Sequence, residues 1–419
     1  MNPLRFVVIG IGGFALAHLD AIAWLQRQGL ADLVGVVALK EDQDKYPDLM
    51  QSLRSRNVAV YTDIDEFFTK FNNNADVLTV PIGIHMHVPV SIRALKAGMH
   101  VYCEKPLAAT VQEVDDLLSV QKKHDGKLAV GFQYIYSHSI QQLKARICDG
   151  RLGAVKDIAM MCGWPRSKQY YSRNDWAGRM RKNNHWILDS PANNAHAHYL
   201  LNILYLCSLN PTEAAMPRQV RAELYRANRI EGPDTVQLEF ETNDNSKGYA
   251  IVSHCNSREL GPIMRLSCQN GAVEWHGQDG NTVIKYQNGT TEEFNNLAGE
   301  NWRFEGFRNL VESVRADKNP TCTAEMARCH TVTVNAIHES CPEIKQIPEG
   351  DIVVLEDFEM FPPDTKGEFR RITKMDDYLQ QAFDEKKFLS QLHIPWAKDT
   401  RSRPFEIRNY NSFPQSEIT

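Results

Sequence analysis

A glycine-rich turn close to the N-terminus is the feature that most limits what this chain can fold into. A short apolar strand at residues 5–9 is followed at once by G-I-G-G-F-A, Gly10 to Ala15, and then by an apolar helix. Gly10 permits a tight turn, Gly12 lets the backbone approach a pyrophosphate, and Ala15 is small enough for close helix–strand packing. The free N–H groups at the helix start then face the anion. The pattern predicts a Rossmann dinucleotide-binding domain.

The residue that selects between NAD and NADP does not stand in its usual place. An acidic residue that binds the ribose 2′-hydroxyl is expected at the end of the second strand. That strand, at residues 33–39, ends with Leu39, and Lys40 and Glu41 follow. Glu41 would suit NAD from slightly further on, whereas Lys40 would suit the 2′-phosphate of NADP. The sequence therefore predicts NAD or NADP and leaves the choice open.

Strand and helix signals alternate in the first third of the chain and then give way to a run of strands. The early strands are predicted at residues 5–9, 33–39, 76–81, 100–103 and 127–132, with helices at about 15–27, 88–97 and 110–124 and a turn with a short helix at 61–71. The later strands are predicted at residues 155–164, 219–225, 235–241, 248–255, 263–268, 272–276 and 282–286, with helices at 301–316, 323–340 and 376–392. Alternation of strands and helices is typical of a parallel sheet with both faces covered. The later polar–apolar alternation is typical of an antiparallel sheet with one covered face.

These patterns predict an α/β protein. Residues 1–136 are expected to form a Rossmann domain with a parallel sheet, and residues 137–345 an α+β domain with a large, open, mainly antiparallel sheet for substrate binding and oligomerisation. Residues 346–419 are expected to form a C-terminal extension that packs on the domains. A chain of 419 residues is long enough for two cores.

Composition and charge exclude several classes of protein. The formal net charge of -5 argues against nucleic acid and anionic membranes as partners, because these bind a concentrated basic face. None of the nine cysteines forms a C-x-x-C pair, which favours reduced thiols over a disulfide framework or a zinc site. No stretch approaches the ~20 apolar residues that span a bilayer. Because the first strand begins almost at once, no room is left for a signal peptide, and we expect a cytoplasmic protein.

A longer and more specific pattern lies at residues 94–108, which read A-L-K-A-G-M-H-V-Y-C-E-K-P-L-A. This segment resembles the Gfo/Idh/MocA family, the relatives of glucose–fructose oxidoreductase and inositol dehydrogenase, whose members share A-L-x-A-G-x-H-V-x-x-E-K-P. The resemblance covers about residues 4–340. It implies a nicotinamide-dependent oxidoreductase that transfers a hydride between NAD(P) and a secondary hydroxyl of a sugar, a sugar derivative or a cyclitol.

The resemblance gives roles to residues around the E-K-P string. The family lysine that lies between nicotinamide and substrate matches Lys105, and Glu104 is expected either to be structural or to orient Lys105. A lysine largely out of water can have a lowered pKa and can polarise a hydroxyl oxygen. His87 aligns with a family histidine near the nicotinamide. Although His85 and His87 are close in sequence, no carboxylate or cysteine completes a ligand set nearby, so no metal is expected.

The second signature of the family is an acidic or amide residue, a histidine four residues later and an apolar helix. The preferred register places Asn194 and His198 at these positions, on one face of a helix. His198 is then the expected proton acceptor, and Asn194 would hold the substrate hydroxyl or orient the imidazole. Many relatives have Asp where Asn194 stands. A rival register uses Asp189 and Asn193 and leaves no histidine in the catalytic position.

The segment between the two signatures resembles the Y-Y-x-R-x-x-W-x-G strings of sugar-acting relatives. Aromatic faces stack on sugar rings, and arginine donors bind hydroxyls or carboxylates, so Tyr171, Arg173 and Trp176 are candidate substrate contacts. An interface loop packed on a neighbouring subunit is the alternative. The predicted substrate-binding residues are Lys105, Tyr171, Arg173, Trp176, Asn194 and His198. The predicted cofactor contacts are Gly10, Gly12, Gly13, Phe14, Ala15, Lys40, Pro81, His87, Glu104 and Lys105.

Two other functions stay open beside the dehydrogenase. One is a glycosidase that retains its cofactor and cleaves by oxidation, elimination and re-reduction. The other is a non-catalytic nucleotide-binding regulator, against which intact Lys105 and His198 argue. An antiparallel sheet with an exposed face further suggests a homo-oligomer, a dimer or tetramer, because that face needs cover. The expected ligands are a nicotinamide cofactor and a small polyhydroxylated substrate.

Overall fold

The computed structural model describes residues 2–277, 279–358, 367–398 and 400–415. Six parallel strands form the N-terminal sheet: β1 (Leu4–Ile9), β2 (Ala31–Val37), β3 (Ala59–Tyr61), β4 (Val77–Val80), β5 (His100–Cys103) and β6 (Leu128–Val130). The helices between them are α1 (Ala15–Gln26), α2 (Lys40–Lys45), α3 (Pro47–Ser55), α4 (Ile64–Lys70), α5 (Ile84–Lys96) and α6 (Val111–Gln121). The strand order β3-β2-β1-β4-β5-β6 is that of a dinucleotide-binding fold, so the predicted Rossmann sheet is confirmed.

The first strand lies at the centre of this sheet because its end is wholly apolar. Residues 6–9 are each at most 4% exposed. β1 pairs with β2 on one side and with β4 on the other, so the strand order reverses beside it. In such sheets, ligands bind at the carboxyl ends of the strands where the order reverses. The glycine turn therefore begins at the edge where a ligand is expected.

The rest of the chain is built around a ten-stranded, mainly antiparallel sheet, as predicted. Its central order is β16-β15-β14-β13-β7-β12-β11-β10-β17, and β20 pairs with β10. The further strands are β7 (Val155–Gly163), β8 (Arg181–Lys182), β9 (His185–Trp186), β10 (Pro217–Arg226), β11 (Thr235–Thr242), β12 (Lys247–Ser253), β13 (Leu260–Cys268), β14 (Gly271–His276), β15 (Asn281–Tyr286), β16 (Thr291–Phe294), β17 (Lys345–Gln346), β18 (Ile352–Phe358), β19 (Gly367–Ile372) and β20 (Phe405–Glu406). The further helices are α7 (His138–Cys148), α8 (Lys168–Ser172), α9 (Ala197–Cys207), α10 (Trp302–Arg315), α11 (Ala324–Ser340) and α12 (Met375–Glu385).

The chain divides into two compact units. The first unit contains residues 1–108, 112–136 and 301–328, and the second contains residues 109–111, 137–300 and 329–419. Residues 301–328, which the sequence placed in the second domain, group with the first unit because Phe307 and Leu310 of α10 belong to the same apolar core as Phe6. The three-part division stays a prediction, and residues 359–366, 399 and 416–419 of the expected C-terminal extension lie outside the described residues.

The C-terminal residues cover part of the large sheet within the second unit. Ala159 and Met161 of β7 and Ile251 of β12 share one buried cluster with a set of C-terminal residues. That set is Ile347, Ile372, Met375, Leu379, Ala382, Phe383, Leu389, Ile394, Trp396 and Ala397. The homo-oligomer was predicted because one face of the sheet was expected to be exposed. Where the C-terminal residues pack on this face, that argument for an oligomer is wrong. The oligomeric state stays a prediction.

Two predicted helices differ from the observed ones. α5 begins at Ile84 rather than at residue 88, because His85 and His87 in its first turns interrupt the apolar pattern. The helix predicted at residues 376–392 ends at Glu385, where Lys386 adopts the left-handed conformation with φ 50°, a common helix terminator. Among the described residues, every helix is too short or too polar to cross a bilayer.

Candidate functional site

The glycine turn has the conformation that a dinucleotide site requires. Gly10 has φ +94° and Gly13 has φ +56°, a region that other residues avoid. A Cβ on Gly10 would lie 3.3 Å from the Cβ of Ala15, which confirms that the turn and helix α1 pack closely. The Gly10 N–H donates to the Val37 carbonyl over 2.7 Å and ties the turn to β2. The turn therefore leaves the N-terminus of α1 open toward the switch point, and its residues fit a pyrophosphate.

Tyr46, which the sequence analysis did not single out, lies beside this turn. A Cβ on Gly12 would come within 2.8 Å of the Tyr46 ring, so a larger residue at this position would displace the ring. Leu39 is 57% exposed at the place of the usual acid. The Lys40 ammonium is 77% exposed and lies 2.8 Å from the Asp44 carboxylate one helical turn later. Lys40 therefore already has an acidic partner on its own helix, in an exposed pair that holds it only weakly.

Glu104 and Lys105 follow β5 directly, and the Glu104 carboxylate contacts a buried histidine and the backbone of Lys105. Its Oε1 lies 3.0 Å from His18 Nε2, and its Oε2 accepts the Lys105 N–H over 3.1 Å. Glu104 is 6% exposed and His18 is fully buried, whereas Lys105 is half-buried. A Cβ on Gly131 would lie 2.6 Å from Glu104 Oε1, so any larger residue at this position would displace the carboxylate. These contacts support the predicted role of Glu104 in orienting the Lys105 backbone.

His87 and Pro81 lie in the same first unit, on the segments that follow β4. Pro81 follows the last residue of β4, and His87 is buried in α5. The His87 ring nitrogens lie 2.7 Å from the Pro106 carbonyl and 2.9 Å from the Ile82 carbonyl. Burial lowers the pKa of His87. Because both ring nitrogens face carbonyls, His87 joins two loops, and direct contact with a nicotinamide stays a prediction.

In the second unit, the predicted placement of Asn194 and His198 on one helix face is wrong. α9 begins at Ala197, with His196 as its N-terminal cap, so Asn194 lies in the turn before the helix. The amide of Asn194 donates to Asp189 Oδ1 over 2.9 Å. Asp189 Oδ2 accepts the Gly178 N–H over 2.5 Å, and Asp189 is only 3% exposed. Asp189, which the rival register proposed as a site residue, therefore positions the side-chain amide of Asn194, which the preferred register proposed.

Asn193 and His198 are buried on either side of that turn. Asn193 donates from its amide to the Ile187 and Leu188 carbonyls over 3.2 and 3.1 Å, which is a structural role. His198 is 7% exposed in the first turn of α9. Its neighbour His196 packs against Trp164, with the ring centroids 5.0 Å apart. The second unit thus brings an amide and an imidazole into one short segment, the donor and proton-accepting groups that alcohol chemistry uses.

Tyr171, Arg173 and Trp176 form a single cluster in and after α8. The Arg173 guanidinium lies 3.6 Å from the centroid of the Tyr170 ring and 5.4 Å from that of Trp176. The Tyr171 phenol is buried, and burial raises its pKa. A Cβ on Gly178 would lie 3.1 Å from the Tyr171 ring, so Tyr171 packs beside the backbone that Asp189 holds. Sequence reasoning missed Asp189 as an anchor, because its partner lies eleven residues earlier in the chain.

Comparison with known proteins concerns mainly the first unit. Residues 4–132 match the Gfo/Idh/MocA oxidoreductase family, described as having an NAD-binding Rossmann fold. These residues belong to that family. The predicted nicotinamide-binding domain is therefore confirmed, and with it the family suggested by the E-K-P string.

Curated relatives align over little more than a third of the chain. Myo-inositol 2-dehydrogenase of Thermotoga maritima is 27% identical over 150 residues, which is 36% of this chain and 42% of the relative. The 2,7-anhydro-N-acetylneuraminate hydratase of Mediterraneibacter gnavus is 27% identical over 155 residues, 37% of this chain and 38% of the relative. The matched residues thus span about two fifths of these relatives.

Solved structures extend the likeness of the fold to most of the chain. The WlbA dehydrogenase of Bordetella pertussis, solved with NADH and UDP-GlcNAcA, has a TM-score of 0.66 at 21% identity. The likeness covers 81% of this chain and 96% of that one. At this identity it supports the α/β fold of both sheets and leaves the substrate open. Among the described residues, no three histidine, cysteine or acidic side chains are grouped as a metal site would require.

Proposed function

We propose that this protein is an NAD-dependent oxidoreductase acting on a secondary hydroxyl of a sugar, a sugar derivative or a cyclitol. The observation that carries the proposal is half-buried Lys105, placed at the carboxyl end of β5 by buried Glu104, in a unit whose residues 4–132 match an NAD-binding family. The substrate class is supported by relatives named for inositol and sugar hydroxyls, such as myo-inositol 2-dehydrogenase.

Each candidate residue has a separate task in this proposal. Gly12 and the start of α1 would hold the pyrophosphate through backbone N–H groups, and Gly10 would shape the turn that presents them. The nicotinamide, when bound, takes up the hydride from the alcohol carbon. Lys105 would polarise the hydroxyl oxygen, and His198 would accept its proton. Asn194, fixed by Asp189, would position the hydroxyl as a hydrogen-bond partner.

NAD is the preferred cofactor in the proposal. The family of residues 4–132 is described as NAD-binding. The Lys40 ammonium, the expected partner of a 2′-phosphate, is paired with Asp44. The cytoplasmic location and the homo-oligomer are kept as predictions, and light scattering of the purified chain would test the second.

The decisive experiment is nicotinamide reduction by the purified protein. NAD and NADP would be offered separately with hexoses, sugar acids, amino sugars, glycosides and inositols. We expect reduction of NAD with at least one of them, and Lys105→Met and His198→Gln should each lower kcat/KM by about 100-fold or more, as expected for loss of acid–base catalysis. Lys156→Met and His185→Gln, which alter exposed side chains, are the matched controls and should keep full activity.

A second candidate keeps the cofactor bound through oxidation, elimination and re-reduction. It is favoured by the relative named as a hydratase, because addition of water to a substrate produces no net oxidation. This candidate predicts bound nucleotide but no accumulation of free NADH with any substrate of the panel. Deuterium exchange at the substrate carbon, lost in Lys105→Met, would then replace NADH formation as the readout.

A further inference from the structure

The segment between the two signatures contains an alternating stack of rings and guanidinium groups. Arg166 lies between Trp164 and Tyr170, with its Cζ 5.7 and 5.1 Å from their ring centroids. Arg173 lies between Tyr170 and Trp176, at 3.6 and 5.4 Å. We call these five residues the arginine–aromatic stack. Such contacts use the flat face of a guanidinium and leave its N–H edges free for hydrogen bonds.

Neither arginine of this stack forms an ion pair with a carboxylate of the described chain. Arg166 donates to the Pro165 carbonyl over 3.2 Å, and its Nε is buried with no hydrogen-bond partner among the described residues. Arg173 donates to the Tyr170 carbonyl. A guanidinium has five N–H donors, so most of the donors of both residues stay available. By contrast, Arg179 and Lys182 of the same segment pair with Glu231 and Asp175.

The positive charges of Arg166 and Arg173 affect the pKa of a neighbouring histidine, His254. The His254 ring lies 5.9 Å from the Tyr170 ring and is 3% exposed. Burial, and after it the charge of Arg166, lower the pKa of His254 well below its usual value, and Arg173 lowers it further. The chain as a whole has a net charge of -5, so this positive charge is a local feature.

The stack is part of the segment that carries the candidate acid–base residues of the second unit. Trp164 packs on His196, two residues before His198, with ring centroids 5.0 Å apart. The backbone N–H of Arg166 donates to the His254 carbonyl over 3.1 Å. Tyr170, Asp189 and His254 lie around one narrow gap of this unit, which is too small for a water molecule. Tyr170, the ring that both arginines contact, is therefore close to Asp189, the anchor of Asn194.

We propose that Arg166 and Arg173 form an oxyanion subsite, which selects a substrate whose sugar carries a carboxylate or phosphoryl group. Both anions accept paired, charge-assisted hydrogen bonds from the edge of a guanidinium, and a neutral hydroxyl accepts them less strongly. The aromatic rings keep the guanidinium planes fixed before the anion arrives, which reduces the entropy lost on binding. This inference rests on the proposed function for its substrate and deepens it.

The test compares three hexoses that differ only at C6: glucose, glucuronate and glucose 6-phosphate. We expect kcat/KM for at least one charged sugar to exceed that for glucose by about 10-fold or more, a preference that falls as salt is added. Arg166→Gln and Arg173→Gln should each reduce kcat/KM for that sugar by about 10- to 100-fold, mainly through KM, and change glucose by less than about 3-fold. A higher kcat/KM for glucuronate would indicate a carboxylate subsite, and a higher kcat/KM for glucose 6-phosphate would indicate a phosphoryl subsite.

The matched control is Arg179→Gln, which removes an exposed arginine of the same segment and should leave the preference unchanged. Thermal unfolding identifies any variant that has lost its fold, and Arg173→Lys, which keeps charge without the planar edge, should recover only part of the loss. Equal turnover of glucose and both charged sugars, with both arginine variants unaffected, overturns the subsite and leaves the proposed dehydrogenase intact.

Calorimetric titration separates failure of the subsite from failure of the proposed function. If no sugar is oxidised but glucuronate or glucose 6-phosphate binds and Arg166→Gln or Arg173→Gln abolishes binding, the subsite stands and the dehydrogenase does not. If neither charged sugar binds more tightly than glucose, the subsite is wrong whatever the activity.

Discussion

The two segments that carry the predicted catalytic residues are held in place by different means. The segment with Lys105 follows β5, and the sheet fixes its backbone. Gly131 N–H donates to the Cys103 carbonyl over 2.8 Å, and Glu104 N–H donates to that of Val80 over 3.3 Å. The segment with Asn194 follows only the two-residue strand β9. Turn bonds hold its backbone, such as Asn194 N–H to the Ser190 carbonyl over 2.9 Å, and the Asp189 side chain holds it in addition. Backbone pairing with neighbouring strands survives the loss of one side chain, so we expect the second segment to be the more fragile.

The largest effect should come from Asp189→Ala. This change leaves the buried Gly178 N–H and the Asn194 amide without their acceptor. An unsatisfied buried donor costs about 1–3 kcal/mol, so the two together should lower stability by about 3 kcal/mol and Tm by roughly 5 °C or more. Because Asn194 loses its orientation, kcat should fall as well. Thermal unfolding and steady-state kinetics measure the two effects.

Asp175→Ala is the control for that change. Asp175 is an exposed carboxylate of the same segment, 2.5 Å from the Lys182 ammonium, and such surface pairs contribute at most about 1 kcal/mol. A Tm for Asp189→Ala that matches the Asp175→Ala value would contradict the idea that side chains hold the second segment.

A smaller effect is expected when the first segment is disturbed through Gly131→Ala. The new Cβ would lie 2.6 Å from Glu104 Oε1 and would push the carboxylate away from His18 and the Lys105 N–H. Overpacking of this kind costs about 1–3 kcal/mol, but the backbone bonds of the sheet persist. We expect a Tm loss below that of Asp189→Ala, together with a kcat about 10-fold lower and little change in the KM for NAD.

Gly350→Ala is the matched control, because a Cβ there meets no atom within 4 Å. It should leave both Tm and kcat unchanged. If Gly131→Ala also leaves kcat unchanged, Glu104 does not position Lys105, and its contact with His18 is purely structural.

The same difference explains how much of the site could be predicted from sequence. The alternation of strands and helices, the glycine turn and the E-K-P string are local patterns, and the structure has them where the sequence placed them. The anchors of these patterns are not local. His18 reaches Glu104 across 86 residues, and Tyr46 reaches Gly12 from the far side of β2. Sequence periodicity cannot identify these partners. Each is a single side chain, and its neighbours in the sequence form no pattern that points to the contact.

Burial in the large sheet also depends on contacts that are distant in the sequence. Alternation in β10 and β11 correctly predicts one apolar face. It also suggests that the polar side chains between are exposed, yet Glu223 and Gln237 are fully buried. Ser390 Oγ donates to Glu223 over 2.5 Å, and the Leu389 N–H donates to Gln237 over 2.8 Å. The hydrogen-bond partners of these two side chains lie about 150 residues later in the chain. The local sequence therefore predicts that they are exposed, although they are buried.

The smallest predicted effect compares the two segments through pH. His87 lies against the Pro106 carbonyl beside the first segment, and His254 packs on His196 in the second. Burial lowers the pKa of both, and the charge of Arg166 lowers that of His254 further, well below 6.5. Below pH 6.5 the unfolded chain gains protons that the folded chain does not bind. The stability that each neutral histidine contributes is therefore complete above pH 6.5 and is lost as the pH falls below it.

We therefore expect Tm to fall by a few degrees between pH 7 and pH 5, measured by differential scanning fluorimetry. His254→Phe should flatten this slope more than His87→Phe, because the pKa of His254 is lowered further. His185→Phe, a change at an exposed histidine, should leave the slope as it is. Each variant is compared with its own Tm at pH 7, so a general loss of stability cannot imitate the result. A slope that His254→Phe leaves unchanged would contradict the lowered pKa of His254.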